Sequence, residues 1–526
     1  MSDLVWGTVT ALSPLRVRLD GDTSAIPATP DSLIDSAALA VSDRVRCEVT
    51  ANRVIVLGRF GGEPWVAQVA NAVSSLRARN LIVNGNFRTN QRSYTSGGAL
   101  AERAYGHDMW QCAGIVNLVT NPNGETNTTG WTAVACTLTR STVWSSSGSA
   151  SLALSSPSSN SAHMETAPIT TVPGRRYTVS ATARLSAALT GAEIDSARAR
   201  GIQVVASGTT TIAISPQAPN VAGSSRVSVS FVATTTDTRL WLWHGQTGGT
   251  IWWDDVMLTE GDTLWPYFDG SFSDCAWTGT ANASTSRRGP ASGSYTFTAL
   301  PQGQTITLAS DAGLMQIIAR EDVDAGTHVL SWSGTATGRV YNVGTAPGSL
   351  PAFAASGATF TLDGLDDVVV EFRAAGGTKT LGQVQLERGS TVTPYEQVPL
   401  AIELLRCMRE YHRLSIGPSE IGQTFAVGGA GGTGTGTSYF GYRFPVTMRR
   451  NPDRYLSGSI GAIRTHSPGV ASAAWTAASI DAATSRDGAM ISGSHSATGF
   501  VTSAGVLLQG AGTAGATAVF EFECRR

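Results

Sequence analysis

Residues 251–267, IWWDDVMLTEGDTLWPY, and residues 379–395, KTLGQVQLERGSTVTPY, share the pattern V-x-L-x-x-G-x-T-x-x-P-Y. Six identities at one fixed offset of 128 positions indicate that a structural unit is repeated. The alternating apolar positions favour a β-strand, and the glycine and proline that follow indicate a turn and an exit. The two stretches therefore predict the closing strands of two related β-domains, an organisation typical of binding or structural proteins.

The composition agrees with an all-β, multidomain chain. With 526 residues, the chain is long enough for about three to five domains. Charged residues make up only 14% and glycine occupies 58 positions, as in β-proteins with many turns. The formal net charge of −2 gives no electrostatic footprint for nucleic acid or an anionic membrane surface.

Signals for membrane insertion, export and disulfide formation are missing from the sequence. No stretch approaches the roughly 20 apolar residues that cross a bilayer. The N-terminus, MSDLVWGTV, lacks the basic-then-apolar plan of a signal peptide, so we expect a protein made without Sec export. The six cysteines are dispersed without a CxxC pair, which argues against a disulfide scaffold or a structural zinc site.

Residues 1–62 are predicted to form a small five-stranded barrel of the OB type. Short alternating runs such as VWGTVTAL and LRVRLDG have the spacing of its strands. OB barrels often bind nucleic acid, but the arginines here alternate with apolar residues as on any solvated sheet face. We therefore expect no nucleic-acid binding at these positions, which are Arg16, Arg18, Arg44 and Arg46.

Residues 63–79 change to a helical period. Pro64 suits a first helical turn, and the apolar residues with a/d coiled-coil spacing are Val66, Val69, Val73 and Leu76. Two heptads are too few to associate alone. The segment is either an oligomer neck or an amphipathic helix lying on the barrel, and the sequence leaves both open.

The next segment carries a resemblance to a known family. Asn80–Phe87 reads NLIVNGNF, followed by Gln91-Arg92 and by YGHDMW at 105–110. This is similar to the N-L-x-x-N-G-[DN]-F…QR…DRW opening of bacteriophage tail-fibre and minor tail proteins, with Met109 in place of the usual arginine. Their modules close with G-x-x-Q-L-E-x-G-S-x-x-T-P-[YF]-E, which appears here at Gly382–Glu396. The resemblance implies a homotrimeric virion protein that binds a host receptor and joins other tail or baseplate proteins through its N-terminal domain.

A second opening lies inside the first. Residues 117–122, NLVTNP, with GE at 124–125 and TGW at 129–131, resemble the first strand of carbohydrate-binding jelly rolls. The matching close is residues 251–258, IWWDDVML. We therefore predict a jelly roll over residues 117–270, inserted into a host jelly roll built from 80–116 and 285–396. Cys112 and Cys275 flank the insertion, so we expect them to lie close in space.

The inner jelly roll holds the candidate metal ligands. In carbohydrate-binding relatives, an early Glu and a late Asp pair bind Ca²⁺, a hard cation that prefers oxygen ligands. The resemblance transfers this role to Glu125 with Asp254 or Asp255. Gly124 stands where the family has Phe, which puts the register of Glu125 in question. The alternative is a set of solvated carboxylates at a strand end, and Gly382-Gln383 predicts no equivalent ion in the host module.

Tryptophans of the same module are the candidate carbohydrate-binding residues. Exposed indoles stack on sugar rings while amide side chains fix the orientation. Trp241 and Trp243 share one face of a strand because side chains alternate. The alternative is that tryptophans in a sandwich belong to its core. The candidates are Trp241, Trp243, Trp252 and Trp253.

The C-terminal third is predicted to contain a helix and a distal domain. Apolar residues from Leu400 to Leu414 have helical spacing, and Pro399 suits the start, so residues 397–414 form the expected amphipathic helix. Residues 415–526 form the expected receptor-binding tip. The segment 444–449, FPVTMR, is similar to the first strand of C-terminal sandwich domains in phage tail fibres. Exposed loops of such a domain are where host recognition is expected.

No catalytic motif is present, so we expect a protein that is not an enzyme. The sequence has no phosphate loop with lysine, no HExxH and no G-x-S-x-G. Asp254 and Asp255 are adjacent on a strand and point to opposite faces, which does not suit a glycosidase pair. The expected function is adsorption of a virion tail tip or fibre to host surface glycans. The alternatives are a tail-associated polysaccharide depolymerase and a cell-surface or secreted carbohydrate-binding adhesin.

Overall fold

A computed structural model of the chain describes residues 3–32, 39–50, 53–60, 79–155, 157–158, 161–193, 197–298, 303–416, 424–431, 436–458, 463–466, 473–480, 484–495, 505–510 and 518–524. The described part consists mainly of antiparallel strands arranged in several sheets. This confirms the all-β, multidomain fold predicted from the composition and the repeated motif. The chain divides into two compact units, Met1–Arg79 and Asn80–Arg526.

The first unit is a five-stranded sheet. Its strands are β1 (Asp3–Leu12), β2 (Leu15–Leu19), β3 (Asp31–Ser32), β4 (Arg44–Thr50) and β5 (Arg53–Phe60). They pair in the order β2-β1-β4-β5-β3, with β3 parallel to β5 and the other neighbours antiparallel. The alternating residues Val45 and Cys47 are fully buried with Val17 and Val56. Residues 61–78, and with them nearly all of the predicted helical neck, lie outside the described residues.

The second unit begins with β6 (Gln111–Cys112) and β7 (Ile115–Asn117), after which the chain enters an inner β-sandwich. The inner strands are β8 (Trp131–Val134), β9 (Thr137–Ser141), β10 (Ser151–Ser155), β11 (His163–Thr166), β12 (Ile169–Thr170), β13 (Arg176–Leu185), β14 (Thr190–Glu193), β15 (Ile202–Ala206), β16 (Thr210–Ile214), β17 (Gly223–Val232), β18 (Asp237–Trp243), β19 (Gln246–Gly248) and β20 (Thr250–Glu260). One sheet has the order β17-β13-β20-β10-β9 and the other β16-β15-β18-β11-β8, with β12 beside β18. Leucine, valine and aromatic side chains from both sheets share one core.

An outer sandwich follows. Its strands are β21 (Cys275–Trp277), β22 (Ser286–Arg288), β23 (Tyr295–Phe297), β24 (Ile306–Leu308), β25 (Gly313–Ile318), β26 (Gly326–Gly334), β27 (Thr337–Asn342), β28 (Ala358–Leu362), β29 (Val368–Arg373) and β30 (Lys379–Arg388), with 3₁₀ turns at Arg320–Asp322 and Pro347–Ser349. The sheets have the orders β23-β24-β30-β26-β28 and β27-β29-β25-β6. The chain leaves after β7 and returns at β22, and these two strands pair with each other. All six cysteines are free, including Cys112 and Cys275.

The two N-L-x-x-N openings contact the two repeated endings in the same way. Asn80 donates its side-chain N–H to the Val384 carbonyl and accepts the Leu386 N–H. Asn117 makes the same pair of hydrogen bonds with Val256 and Leu258. The earlier opening is therefore bonded to the later ending, and the second opening to the first ending, because one sandwich is enclosed in the sequence of the other.

The C-terminal region departs from the sequence prediction in two respects. The helix α1 spans only Leu400–Met408, and the residues from Tyr411 that were predicted to continue it form a strand. That strand lies along the C-terminal strand Ala518–Glu523, so sheet pairing outweighs the helical spacing. The tip, predicted as a sandwich, contains a closed six-stranded barrel, an arrangement that leaves no unpaired edge. The barrel strands, in pairing order, are β32 (Thr424–Gly431), β33 (Gly436–Arg443), β37 (Gly488–His495), β36 (Ala473–Ile480), β35 (Ile463–His466) and β38 (Gly505–Gly510). A separate three-stranded sheet has the order β31 (Tyr411–Ile416), β39 (Ala518–Glu523) and β34 (Asp453–Gly458).

Candidate glycan-binding face

Strand β18 places alternate side chains on the two faces of its sheet. Leu240 and Leu242 point into the inner sandwich core and are fully buried. The residues between them point away from that core, together with their neighbours on β11 and β15. We call this surface the Trp241 face, and it comprises His163, Glu165, Gln203, Arg239, Trp241 and Trp243.

Trp241 lies in the middle of the Trp241 face and is partly exposed. In the antiparallel register it stands opposite Gln203 on one side and Glu165 on the other. The His163 ring stacks on both indoles, with centroid distances of 4.4 Å to Trp241 and 4.9 Å to Trp243, at 24° between planes in each case. The platform is thus held in one orientation before any ligand arrives, which reduces the entropy lost on binding.

Two ring nitrogens on the Trp241 face lack hydrogen-bond partners among the described residues. They are Trp241 Nε1 and His163 Nε2, and both atoms are buried. Burial lowers the pKa of His163, so the imidazole is neutral at pH 7. Its Nδ1 contacts the Ser161 carbonyl and therefore carries the proton, which leaves Nε2 as an acceptor. Neither atom has accessible surface, so an ordered water is the partner expected for each of them.

Charged side chains border the indole. Arg239 Nη1 lies 3.6 Å from Glu165 Oε1, and the two side chains are 29% and 20% exposed. A loose, partly exposed pair of this kind contributes little to stability, so both groups can exchange it for ligand hydroxyls. On the far side, the Arg198 guanidinium lies 5.4 Å from the centroid of the Trp243 ring. The arrangement combines an apolar platform with orienting polar groups, as polyhydroxy ligands require.

The other predicted tryptophans present little or no surface. Trp243 is 3% exposed and donates its indole N–H to Gln203 Oε1 at 3.0 Å. Trp252 lies on the other sheet, 8% exposed, with its indole N–H bonded to Ser141 Oγ at 3.1 Å. Trp253 is fully buried in the core and cannot contact a sugar. Of the four candidate tryptophans, Trp241 is the one whose side chain is partly exposed.

Sequence reasoning missed the neighbours of Trp241. His163 and Glu165 alternate along HMET, and Gln203 lies in the short strand IQVVA, so their placement on one face of their strands was readable. What the sequence did not contain is the strand order that brings β11 and β15 to the two sides of β18.

The predicted calcium ligands lie at one end of the inner sandwich, around the loop 145–150. Glu125 Oε1 accepts the backbone N–H groups of Ser149 and Ala150 at 2.7 and 2.9 Å. Asp254 Oδ2 accepts those of Ser146 and Ser147 at 2.6 and 3.2 Å. Although burial opposes ionisation of Glu125, these donors outweigh it and lower its pKa. The carboxylates anchor the loop through hydrogen bonds.

Asp254 and Asp255 both carry raised pKa values. Burial raises the pKa of Asp254 to about 8, with a further contribution from the charge of Asp255. Asp255 also has a positive φ of 53° and bonds to Ser147 Oγ. A cavity of about 240 Å³ beside them is lined by Glu125 and Asp269 among others. Nowhere in the described ranges do three carboxylate, histidine or cysteine side chains converge as metal ligands. Calcium binding by Glu125 with Asp254 or Asp255 stays a prediction.

Among the described residues, no helical segment has the length and hydropathy of a membrane span.

No family model matches the sequence, and no curated protein matches it. Solved structures that resemble parts of the chain include a family 16 carbohydrate-binding module, at 15% identity and a TM-score of 0.21, over 27% of this chain and 99% of the module. The tandem family 22 modules of Paenibacillus barcinonensis Xyn10C match at 12% identity and 0.23, over 58% of this chain and 95% of theirs. The enzymatically active domain of tailspike protein 4 from bacteriophage CBA120 matches at 16% identity and 0.20, over 27% of this chain and 21% of that chain. At these identities and TM-scores the similarities add nothing to the assignment of function.

Proposed function

We propose that this chain is a virion protein of a phage tail tip or fibre that adsorbs to the host by binding a surface glycan on the Trp241 face. The resemblance of the segments Asn80–Phe87 and Gly382–Glu396 to tail proteins supports the virion role. The chemistry of the Trp241 face supports a neutral or weakly charged polyhydroxy ligand. Several copies on one virion, each binding weakly, would supply avidity.

The observation that carries this proposal is the condition of Trp241. A large aromatic ring on a protein surface usually finds cover or a partner for its N–H. This ring is partly exposed on a sheet face, stacked on His163 and flanked by Gln203 and Glu165, and its N–H is unpaired among the described residues. In this proposal a sugar ring covers the indole with C–H groups, while its hydroxyls reach the partly exposed Glu165 and Arg239.

The test is glycan-array binding by the full chain and by the Trp241→Ala variant. We expect the variant to lose at least about tenfold in affinity, or about 1.4 kcal/mol. Trp144→Ala is the matched control, because Trp144 is a partly buried tryptophan of the same sandwich with the Arg184 guanidinium 5.6 Å from its ring centroid. Equal binding by wild type and Trp241→Ala would refute the proposed site.

In the same proposal the protein binds the glycan without cleaving it. The chain forms a homotrimer, as the resemblance to tail fibres implies, and residues 1–62 join it to other tail or baseplate proteins. Incubation with the bound glycan should leave its mass unchanged, whereas a depolymerase would shorten it. Immunogold labelling of virions should place the chain at the tail tip or fibre. Labelling of uninfected cell surfaces instead would favour the adhesin alternative.

A further inference from the structure

The C-terminal domain, which begins at Tyr411, carries two buried carboxylates side by side in its three-stranded sheet. Glu523 on β39 stands opposite Tyr411 on β31 and opposite Asp453 on β34, so the three side chains project from one face of the sheet. We call them the Glu523 row. Asp453 is 2% exposed and Glu523 3% exposed. Like charges directly opposite each other destabilise a sheet, and away from water they repel more strongly. The row therefore needs cations from outside its own sheet.

Each carboxylate of the Glu523 row is paired with an arginine from a different sandwich. Arg176, on β13 of the inner sandwich, donates from Nε and Nη2 to Asp453 Oδ1 at 3.1 and 2.8 Å. Arg92, in the opening segment of the outer sandwich, places its Nη2 2.6 Å from Glu523 Oε1. The Arg92 guanidinium also lies 3.7 Å from the centroid of the Tyr411 ring. The row thus joins the C-terminal domain to both sandwiches at once.

Further contacts between the C-terminal domain and the sandwiches are also ionic. Arg449 donates to Glu321 Oε1 at 2.7 Å and to Asp322 Oδ2 at 2.5 Å, in the first 3₁₀ turn of the outer sandwich. Arg450 Nε lies 3.0 Å from Asp262 Oδ2, in the segment that follows β20. These three acidic side chains are 55%, 40% and 28% exposed. Salt therefore screens their pairs more than it screens the buried pairs of the Glu523 row.

The connection between the sandwiches and the C-terminal domain permits motion. Among the described residues, the apolar cores of the two sandwiches include no side chain of the C-terminal domain. The chain enters this domain once, between the end of α1 at Met408 and the start of β31 at Tyr411. A cavity of about 200 Å³ lies in the contact, lined by Arg176 and Asp453 among others. Domains that meet through polar contacts and a single connection move relative to each other unless specific contacts hold them.

We propose that Arg92 and Arg176 form a two-part latch, which holds the C-terminal domain docked on both sandwiches, and that this domain swings as a unit about residues 409–410 when the latch opens. Loss of these arginines leaves two adjacent buried carboxylates without their cations, and an unpaired buried charge is strongly destabilising. Undocking gives both carboxylates water, so the open position relieves their repulsion. The latch uses no residue of the Trp241 face and is independent of glycan binding there.

The experiment is small-angle X-ray scattering of the full chain at about 0.1 M and about 1 M salt, for wild type and for the double variant Arg92→Met/Arg176→Met. Methionine keeps an unbranched side chain and removes the charge. Wild type should have the same radius of gyration at both salt concentrations, because the latch pairs are buried. In the double variant the docked population should fall at least about tenfold, with a larger radius of gyration at both concentrations and an unchanged mass.

Arg175→Met is the matched control. Arg175 precedes Arg176 in the chain but pairs within the inner sandwich, with its Nη1 2.9 Å from Glu260 Oε1. The scattering of this variant should equal that of wild type.

Circular dichroism separates motion from unfolding, since the double variant should keep the strand signal of wild type. A double variant as compact as wild type would overturn the latch, and so would expansion accompanied by loss of strand signal. Expansion of wild type in high salt would assign docking to the exposed pairs of Arg449 and Arg450 instead. Glycan affinity should be the same in the double variant, so failure of the latch and failure of the glycan site are read separately.

Discussion

The two sandwiches differ in whether the outward face of one sheet is covered. In the inner sandwich the order β15-β18-β11-β8 presents the partly exposed Trp241. In the outer sandwich the corresponding order is β27-β29-β25-β6, and the outward residues Met315 and Val369 are fully buried. They are covered by Trp265 and Phe268, which lie in the segment that returns from the inner sandwich.

The difference follows from the nesting. A chain that leaves a sandwich and returns needs a surface for its returning segment, and the outer sandwich provides this sheet face. Trp265 and Phe268 are fully buried there, and the Arg288 guanidinium lies 4.5 Å from the Trp265 ring centroid. Among the described residues, this face of the inner sandwich leaves Glu165, Arg239 and Trp241 partly exposed, whereas the same face of the outer sandwich is covered, so the proposed binding belongs to the inner copy.

The largest expected effect comes from uncovering the outer face with Trp265→Ala. Removing a fully buried indole typically costs about 3–5 kcal/mol, because the cavity cannot close and the apolar face of β25 and β29 is left exposed. The free energy of unfolding obtained from urea titration should fall by this amount, with a lower urea midpoint. Trp144→Ala, at a partly exposed indole, should cost under about 1 kcal/mol. An unchanged transition in Trp265→Ala would show that the returning segment does not hold the outer sandwich together.

A second prediction concerns pH and the buried Asp254 of the inner sandwich. Its pKa is raised to about 8 from about 3.9 in the unfolded chain. The folded state therefore binds this proton more tightly than the unfolded chain does. Its free energy of unfolding falls progressively as the pH rises from about 4 to about 8. Between pH 5 and pH 8 this loss should be roughly 2–4 kcal/mol.

Asp254→Asn should remove that pH dependence. The free energy of unfolding of the variant, relative to that of wild type, should therefore increase as the pH rises. Chelator-treated protein is the reference. Calcium that abolished the slope in wild type but not in the variant would identify Asp254 as a cation ligand. A wild-type slope equal to that of the variant would refute the raised pKa.

The sequence predicts the contrast between the sandwiches only in part. The repeated V-x-L-x-x-G-x-T-x-x-P-Y ending and the two openings at Asn80 and Asn117 were readable because a short, local hydrogen-bond pattern needs the same residues each time. The tryptophans were harder, since a period-2 pattern shows which residues share a face but not which face is the core. Trp241 and Trp253 look alike in sequence, and only the packing of the second sheet distinguishes them.

The C-terminal helix shows a further limit. Helical spacing continued to Leu414, but Tyr411 onward pairs with β39, a partner about a hundred positions away. Such long-range pairing overrides local periodicity. The buried Glu403 was likewise unreadable, because its partner, the Asn84 N–H, is more than three hundred positions away in the chain.

A smaller effect should separate the two contributions of Trp241. Trp241→Phe keeps an aromatic platform and loses the indole N–H. We expect Trp241→Phe to lose glycan affinity by about threefold to fivefold relative to wild type, or about 0.7–1 kcal/mol. Its affinity should therefore lie between those of wild type and Trp241→Ala. The measurement is titration with the glycan selected on the array. Equal affinities for the Phe and Ala variants would assign the binding energy to the N–H and not to stacking.

The smallest expected effect is that of Glu165→Gln at the border of the Trp241 face. The amide keeps the shape and one acceptor oxygen, but it loses the charge that interacts with Arg239 at 3.6 Å. A partly exposed ion pair of this kind contributes about 0.5 kcal/mol or less, so affinity should fall by about twofold with little change in stability. On the outer sandwich, strand β29 of the equivalent sheet carries Glu371. This side chain is 2% exposed and accepts a hydrogen bond from Arg339 at 2.7 Å. Glu371→Gln should therefore destabilise the fold by about 3 kcal/mol and leave glycan affinity unchanged. A reversal, with Glu165 governing stability and Glu371 governing binding, would exchange the roles of the two sandwiches.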